Sequence, residues 1–244
     1  MISLPQALIT TEYYLPLFFQ SVKEASPSRS GLLIIPITLT QALMGIVTGI
    51  VIHRTGRYLE CLGAGVTLLT IGTGLYIQFG PKSSLGEIVG CELVAGIGAG
   101  QLFSPPLVAL QAMVSQAKTS TATSTLGFVR NLATVLAVVI GGVIFQNSMD
   151  HQIPNLREVG LPANITAMLS GDNAMANVMV IGTIRNTVQK LAVKQAFADS
   201  LRNLWIICAC TSACALAASA FISKKELSKE HNEIKTGLGN ENPQ

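Results

Sequence analysis

Three ionisable residues stand in or beside runs of sequence that otherwise hold no charge. Glu12 lies within the apolar run 1–22, Glu92 borders the run 93–117, and Arg130 borders the run 131–149. A carboxyl in such a setting can exchange a proton or pair with a cation. An arginine there must snorkel to a polar surface, find a partner or meet water. Glu12 and Glu92 are therefore either candidate proton-coupling groups or ordinary carboxylates at the ends of spans. Arg130 either snorkels or faces a polar pathway beside Asn131. Other polar side chains accompany them: Tyr13 and Tyr14 next to Glu12, and Gln101 and Ser104 downstream of Glu92. Prolines follow both groups, Pro16 in the first and Pro105 and Pro106 in the second. Proline removes a backbone donor and crowds the preceding turn. In apolar surroundings the freed carbonyl must be satisfied by protein or water. The prolines thus mark either helix breaks beside a pathway or bends that serve packing.

The elements that must position these residues are long apolar helices. The runs 31–52, 61–79, 93–117, 131–149 and 203–223 contain no charged residue, and 1–22 contains one. A bilayer core about 30 Å thick needs roughly 20 apolar residues in a helix. One such run might fill a soluble core, but six in series imply a polytopic membrane protein. The fold class is all-α, a six-helix transmembrane bundle. The spans are placed at about 5–22, 31–52, 60–79, 86–113, 124–147 and 203–222, making a membrane domain over 1–223 and a polar tail over 224–244. If the six spans form two three-helix repeats, the first and fourth lead each repeat. Interrupted helices at matching repeat positions point to a substrate pathway near the midplane.

Other functions find little support in this composition. A net charge of +3 is too small to argue for nucleic acid as a partner. His53, His151 and His231 are scattered through polar segments. No zinc-protease, paired-aspartate, serine-elbow or phosphate-loop pattern occurs, so neither an enzyme nor a cofactor or metal site is expected. Cys61, Cys91, Cys208, Cys210 and Cys214 sit in or beside apolar runs and are expected as free thiols that pack as small hydrophobes. The spacing of Gly96 and Gly100, and the pair Gly141 and Gly142, suit close helix packing.

Orientation follows from the basic residues. Arg54, Arg57, Lys118 and the tail residues Lys224, Lys225, Lys229 and Lys235 outnumber Lys23, Arg29 and Lys82 on the other side. This bias places the former loops, the tail and, with six spans, the N-terminus in the cytoplasm. The long connection 148–202 is then extracytoplasmic. Within it Val193, Phe197, Leu201 and Leu204 recur at helical spacing, with Lys190, Lys194, Asp199 and Arg202 elsewhere. That pattern predicts an amphipathic helix lying at the membrane interface and running into the sixth span. Asn164-Ile165-Thr166 is a glycosylation acceptor pattern on the same side.

The loop Gly49-Ile-Val-Ile-His53-Arg54-Thr-Gly56-Arg57 resembles the inter-helix signature of the major facilitator superfamily, with His53 where that signature has Asp. Tyr13-Tyr14-Leu-Pro-Leu-Phe-Phe-Gln20, the run from Gly96 to Gln111, Thr121 to Asn131 and Gly141 to Asn147 are similar to the fungal fourteen-span drug:proton antiporters, as are Leu227 to His231 and Lys235 to Gly237. The resemblance covers the last six spans of that family. It implies one half of a major facilitator fold, built of two inverted three-helix repeats. The first and fourth spans would line the central cavity, the second and fifth would face the other half, and the third and sixth would lie outermost. It implies Tyr13, Tyr14, Gln101, Ser104, Arg130 and Asn131 as pathway residues. It further implies a role in exporting small organic compounds against protons, together with a complementary first half. The rival expectations are a fragment that only inserts in the lipid bilayer and associates, and a small dimeric six-span transporter or channel. The plasma membrane is the expected location and the vacuolar membrane the alternative.

Overall fold

The computed structural model describes residues 3–115 and 118–219, with the backbone alone for 3–9 and 112. The tail 224–244, with its motifs and lysines, lies outside the described residues. All regular structure among the described residues is helical: α1 (Ser3–Ser21), α2 (Pro27–Leu33), α3 (Ile35–Thr55), α4 (Tyr58–Leu75), α5 (Leu85–Gln101), α6 (Pro105–Met113), α7 (Thr119–Glu158), α8 (Ala163–Met168), α9 (Asn173–Ala176) and α10 (Thr187–Ser219). Short 3-10 segments add Tyr76–Gln78 to the end of α4 and Val178–Thr183 before α10.

Local chemistry explains most boundaries. Ser26 caps α2, its hydroxyl accepting the Arg29 N–H at 3.3 Å, and Pro27 occupies the first turn, where its missing donor costs nothing. The second span therefore starts at Pro27, earlier than the apolar run alone suggests. It is interrupted at Ile34, just before Pro36. α3 ends at Gly56, whose φ of 69° is the left-handed conformation that glycine adopts at least cost. Ser84 and Glu87 form a reciprocal capping box at the start of α5.

Five helical stretches are long and apolar enough to cross a membrane: Pro27–Thr55, Tyr58–Gln78, Leu85–Gln111, Thr119–Glu158 and Thr187–Ser219. The sixth expected span, α1, is not among them. Its 19 residues make a helix about 28 Å long, but Thr10, Thr11, Glu12, Tyr13, Tyr14 and Gln20 make it polar. α1 tolerates this because its neighbours shield it. It packs on α10 and α7, and Tyr14, Leu15, Phe18 and Phe19 are all buried. The expected break at Pro16 is also absent, since α1 runs through it. One missing backbone hydrogen bond is absorbed where packing holds both sides of the helix. The break at Pro105 and Pro106 is real: the fourth span divides at 102–104 into α5 and α6.

α5 is held between α3 and α4, and its small residues divide between the two faces. A Cβ on Gly96 would come within 2.8 Å of the Ile37 carbonyl oxygen of α3, and one on Gly100 would overlap the Gln41 backbone. On the other face, a Cβ on Gly98 would overlap the backbone of Leu68 and Leu69 of α4, while one on Gly72 of α4 would lie 2.7 Å from Ala95 Cα. The close packing expected from this glycine spacing is thus realised on both sides. α4 in turn packs on α10, and α6 meets α7.

The connection 148–202 proves largely helical. α7 continues to Glu158 and α10 begins at Thr187. At 40 and 33 residues they are about 60 and 50 Å long, well beyond a bilayer core of about 30 Å. Their projecting ends pack together with the 159–186 connection. Met149, Ile153, Leu156, Leu169, Ile181, Val193, Phe197 and Leu201 share one buried cluster there. The expected interfacial helix is corrected accordingly. Its stripe of Val193, Phe197, Leu201 and Leu204 is at most 1% exposed and faces protein. Amphipathic spacing specifies an apolar face but not whether lipid or protein covers it.

Candidate functional site

The polar residues of the spans fall into three groups. Nearest the Thr55, Met113 and Thr119 ends is a group at the α5–α6 break. The Arg130 guanidinium of α7 stacks over the Phe103 ring, 4.9 Å from its centroid. This is a cation–π contact, and Arg130 is half-buried. Phe103 is 61% exposed, so the pair lies on an open face. Ser104 is half-buried beside Gly49 of α3, and Asn131 is exposed. Gln101 is half-buried, and its Oε1 is enclosed without a hydrogen-bond partner.

The second group is on α1. Tyr13 is 57% exposed while Tyr14 is buried, the two rings meeting edge to face at 5.1 Å. Tyr14 donates its hydroxyl to the Val138 carbonyl of α7 at 2.7 Å, and Thr10 donates to the Ala137 carbonyl at 3.5 Å. Gly141 and Gly142 make room for that ring: a Cβ on Gly141 would lie 2.6 Å from Tyr14 Cε2. Tyr14 thus belongs to the α1–α7 contact, not to the open face, because its hydroxyl is already spent on a backbone carbonyl. Arg130 and Val138 are eight residues apart, so this level lies about 12 Å along α7 from the first.

The third group is marked by enclosed atoms and not by height, since Glu12 adjoins Tyr13 on α1. Glu92, in the second turn of α5, is 0% exposed. Neither of its oxygens has a hydrogen-bond partner among the described residues, and the same holds for Glu12 Oε1, Tyr76 Oη and Trp205 Nε1. The two carboxyls differ in setting. Glu12 is half-buried in mid-α1, and Glu92 is enclosed by other helices. Tyr76 and Trp205 escaped the sequence reading; an aromatic residue in an apolar run carries no signal of which neighbour it will meet.

Beyond the spans, one further cluster went unforeseen. Glu24, with φ 51°, accepts from both Lys190 and Lys194 of α10 at 2.7 and 2.6 Å. Lys23 donates to the carbonyls of Gly80, Pro81 and Ser83, at 3.2, 3.0 and 2.6 Å, using all three of its N–H groups. Burial first, and then repulsion from Lys194, pull the Lys23 ammonium below its ordinary value. Burial would raise the Glu24 carboxyl, but the two lysines bonded to it hold it below the usual carboxylate range. Lysines spaced four residues apart on α10 were the available signal; their common acceptor in a distant turn was not.

In the signature loop, His53, Arg54 and Arg57 are exposed, and Arg57 reaches Glu60 at 3.5 Å. Gly56 supplies the turn, whereas Gly49 lies within α3, where a Cβ would find only ordinary contact. All five cysteines are free. Asn164 is exposed on α8, while Thr166 of the same triplet is buried and bonded to the Leu161 and Pro162 carbonyls.

No protein-family model matches the chain. It is 36% identical over 236 residues to the MFS-type transporter ppz2 of Metarhizium majus, covering 97% of this chain and 40% of that protein. It is 37% identical over 230 residues to the efflux pump dotC of Dothistroma septosporum, covering 94% of this chain and 39% of that pump. An MFS-type transporter of Aspergillus terreus is 33% identical over 229 residues, covering 93% of this chain and 41% of that transporter. The chain thus spans about two fifths of the length of the curated relatives it matches. These identities run through nearly all of its helices, and with five membrane-length apolar stretches in one helical bundle they make it an integral multi-pass membrane protein of the major facilitator superfamily, similar to fungal proteins named transporters and efflux pumps.

Proposed function

We propose that this chain is the C-terminal half of an exporter of small organic compounds, driven by proton antiport. It would work against a complementary six-helix half across the α3 and α7 face. The observation that carries the reading is the character of that face. α3 presents Leu39, Leu43 and Ile46 outward and α7 presents Phe128, Leu132 and Val135, all at least 50% exposed. Phe103 with Arg130, and then Tyr13, bring polar and aromatic groups to the open side of α6, α7 and α1. Exposed apolar side chains together with a half-buried arginine suit a second half better than lipid, since an arginine against lipid costs about 2.5–3.5 kcal/mol at a helix centre on insertion scales. Relatives named efflux pumps support the direction of transport. Tyr13, Gln101, Ser104, Arg130 and Asn131 would contact substrate, with Tyr14 holding α1 in place. Glu12 and Glu92 would carry the proton.

The test is efflux in a drug-sensitive host lacking its own exporters, with and without a co-expressed first half from a related transporter. Proton-dependent efflux is expected only for the pair. Efflux by the purified chain alone in liposomes would overturn the two-half reading in favour of a dimeric six-span transporter. Efflux by neither would leave a chain that inserts and associates without transporting.

A further inference from the structure

Arg130 is the only charged side chain between Thr119 and Met149 of α7, and α6 carries none. Its guanidinium lies 4.9 Å from the centroid of the Phe103 ring. A ring face attracts the charge but offers no lone pair to the five N–H groups. Those groups find no acceptor among the described residues. The ion pairs there are Arg57 with Glu60, and Lys190 and Lys194 with Glu24. Phe103 stands about 15 Å from the Met113 end of α6, and Arg130 about 16 Å from the Thr119 end of α7, at 1.5 Å per residue. The contact thus holds a positive charge within the spans, with its hydrogen-bonding edge unused.

The setting favours a negative ligand with a flat body. Arg54 of α3 and Lys118 just before α7 are exposed at the same end of the bundle. Glu60 is the only carboxyl there among the described residues, and it is shared with Arg57. Phe103 is 61% exposed, so its ring has room for a second flat group. Asn131, the neighbour of Arg130, is exposed and can add an amide donor. A guanidinium takes a carboxylate through two parallel N–H bonds, a geometry that an ammonium or a neutral group does not match. A cationic ligand would meet like charge at this place, with no carboxylate in the ion-paired set to receive it. Ring and fork side by side fit an acid group carried on an aromatic or conjugated body.

We propose that the site beside the α5–α6 break takes organic anions, flat aromatic or conjugated molecules that bear a carboxylate. Arg130 holds the carboxylate through its free N–H groups, and Phe103 stacks on the body. The ligand then supplies the acceptor that the protein itself does not. This names the substrate class of the exporter proposed above and rests on that reading for its place in transport. Binding by Arg130 and Phe103 requires no transport.

The test uses three probes that share one ring system: naphthoate, naphthamide and naphthylmethylammonium. Their binding to the full chain in detergent is measured by equilibrium dialysis. The ratio of affinities is read, since both site residues belong to this chain. Naphthoate should bind more tightly than naphthamide by about tenfold or more, the effect of hydrogen bonds to charged groups, and the ammonium probe should bind least. Arg130→Gln should bring naphthoate down to the level of naphthamide. Phe103→Leu should weaken both probes equally, and Arg54→Gln should keep the wild-type ratio. If Arg130→Gln does not fold, Arg130→Lys decides: it keeps the charge, loses the fork, and should weaken naphthoate while leaving naphthamide unchanged. Equal affinity for naphthoate and naphthamide in the wild type, binding of none of the three, or an unchanged ratio in the Arg130 variant overturns the proposal. Anion-selective binding without efflux by the two co-expressed halves would remove the transport reading and leave the site. Efflux of the amide or ammonium probe with naphthoate refused would remove the site and leave the exporter.

Discussion

Lys23 and Glu24 are neighbours in the chain and bind in different directions, one to the α4–α5 loop and the other to α10. Together they fasten three connections at one end of the bundle. Glu24 does this from a left-handed backbone conformation, uncommon for a residue with a side chain. The side chains of Glu24, Lys190 and Lys194 are 34%, 25% and 20% exposed. Solvent screening therefore holds the two pairs to about 1 kcal/mol together. Because the folded carboxyl titrates below its ordinary 4.5, its contribution is present above that pH and is lost as pH falls through the folded value. Glu24→Gln should lower stability by about 1 kcal/mol at neutral pH and by progressively less in acid. Melting curves of the two proteins between neutral pH and pH 3 measure it; a constant gap across that range would show that the ion pairs are not the cause.

At the scale of elements, small residues decide how closely helices meet. Gly98 and Gly100 point to opposite neighbours, α4 and α3, and neither leaves space for a Cβ. Gly90, in the same helix, has nothing near it. Gly98→Val and Gly100→Val should each cost about 1–3 kcal/mol through forced backbone shifts, whereas Gly90→Ala should be neutral or stabilising through helix propensity. Unfolding of the three variants in detergent would rank them. Equal losses at all three positions would mean that propensity, not contact, governs α5. The interruption of the fourth span was legible because two consecutive prolines leave no helical alternative. Pro16 misled because a single proline can be carried inside a packed helix, and the packing of α1 against α7 and α10 is not written locally.

The whole molecule combines a bundle of membrane-length helices with a folded cap made from the far ends of α7 and α10. The basic residues predict that this cap is extracytoplasmic. In a background stripped of native cysteines, Thr55→Cys should resist an impermeant thiol reagent added outside intact cells, and Ala167→Cys, on exposed α8, should react. The reverse pattern would invert the orientation. Asn164 is then the expected glycan site in a secretory membrane, and Asn164→Gln should abolish any glycosidase-sensitive shift.

The helical class and the approximate positions of five membrane-length stretches were legible in the sequence alone. Charge-free runs of 20 residues have few alternatives to membrane helices, since their backbone groups must be satisfied within the segment. The family signature, the glycine contacts and the α5–α6 break were legible for the same reason: each depends on residues close together in the chain. Tertiary structure decided the rest. It turned the Tyr14 hydroxyl to the Val138 carbonyl, drew the stripe at Val193 onto protein, and left Glu92 buried with no hydrogen-bond partner among the described residues. Each of these depends on which helix covers which face. Burial and partnership are properties of pairs of distant residues, and helical periodicity fixes only that a face exists, not what will meet it.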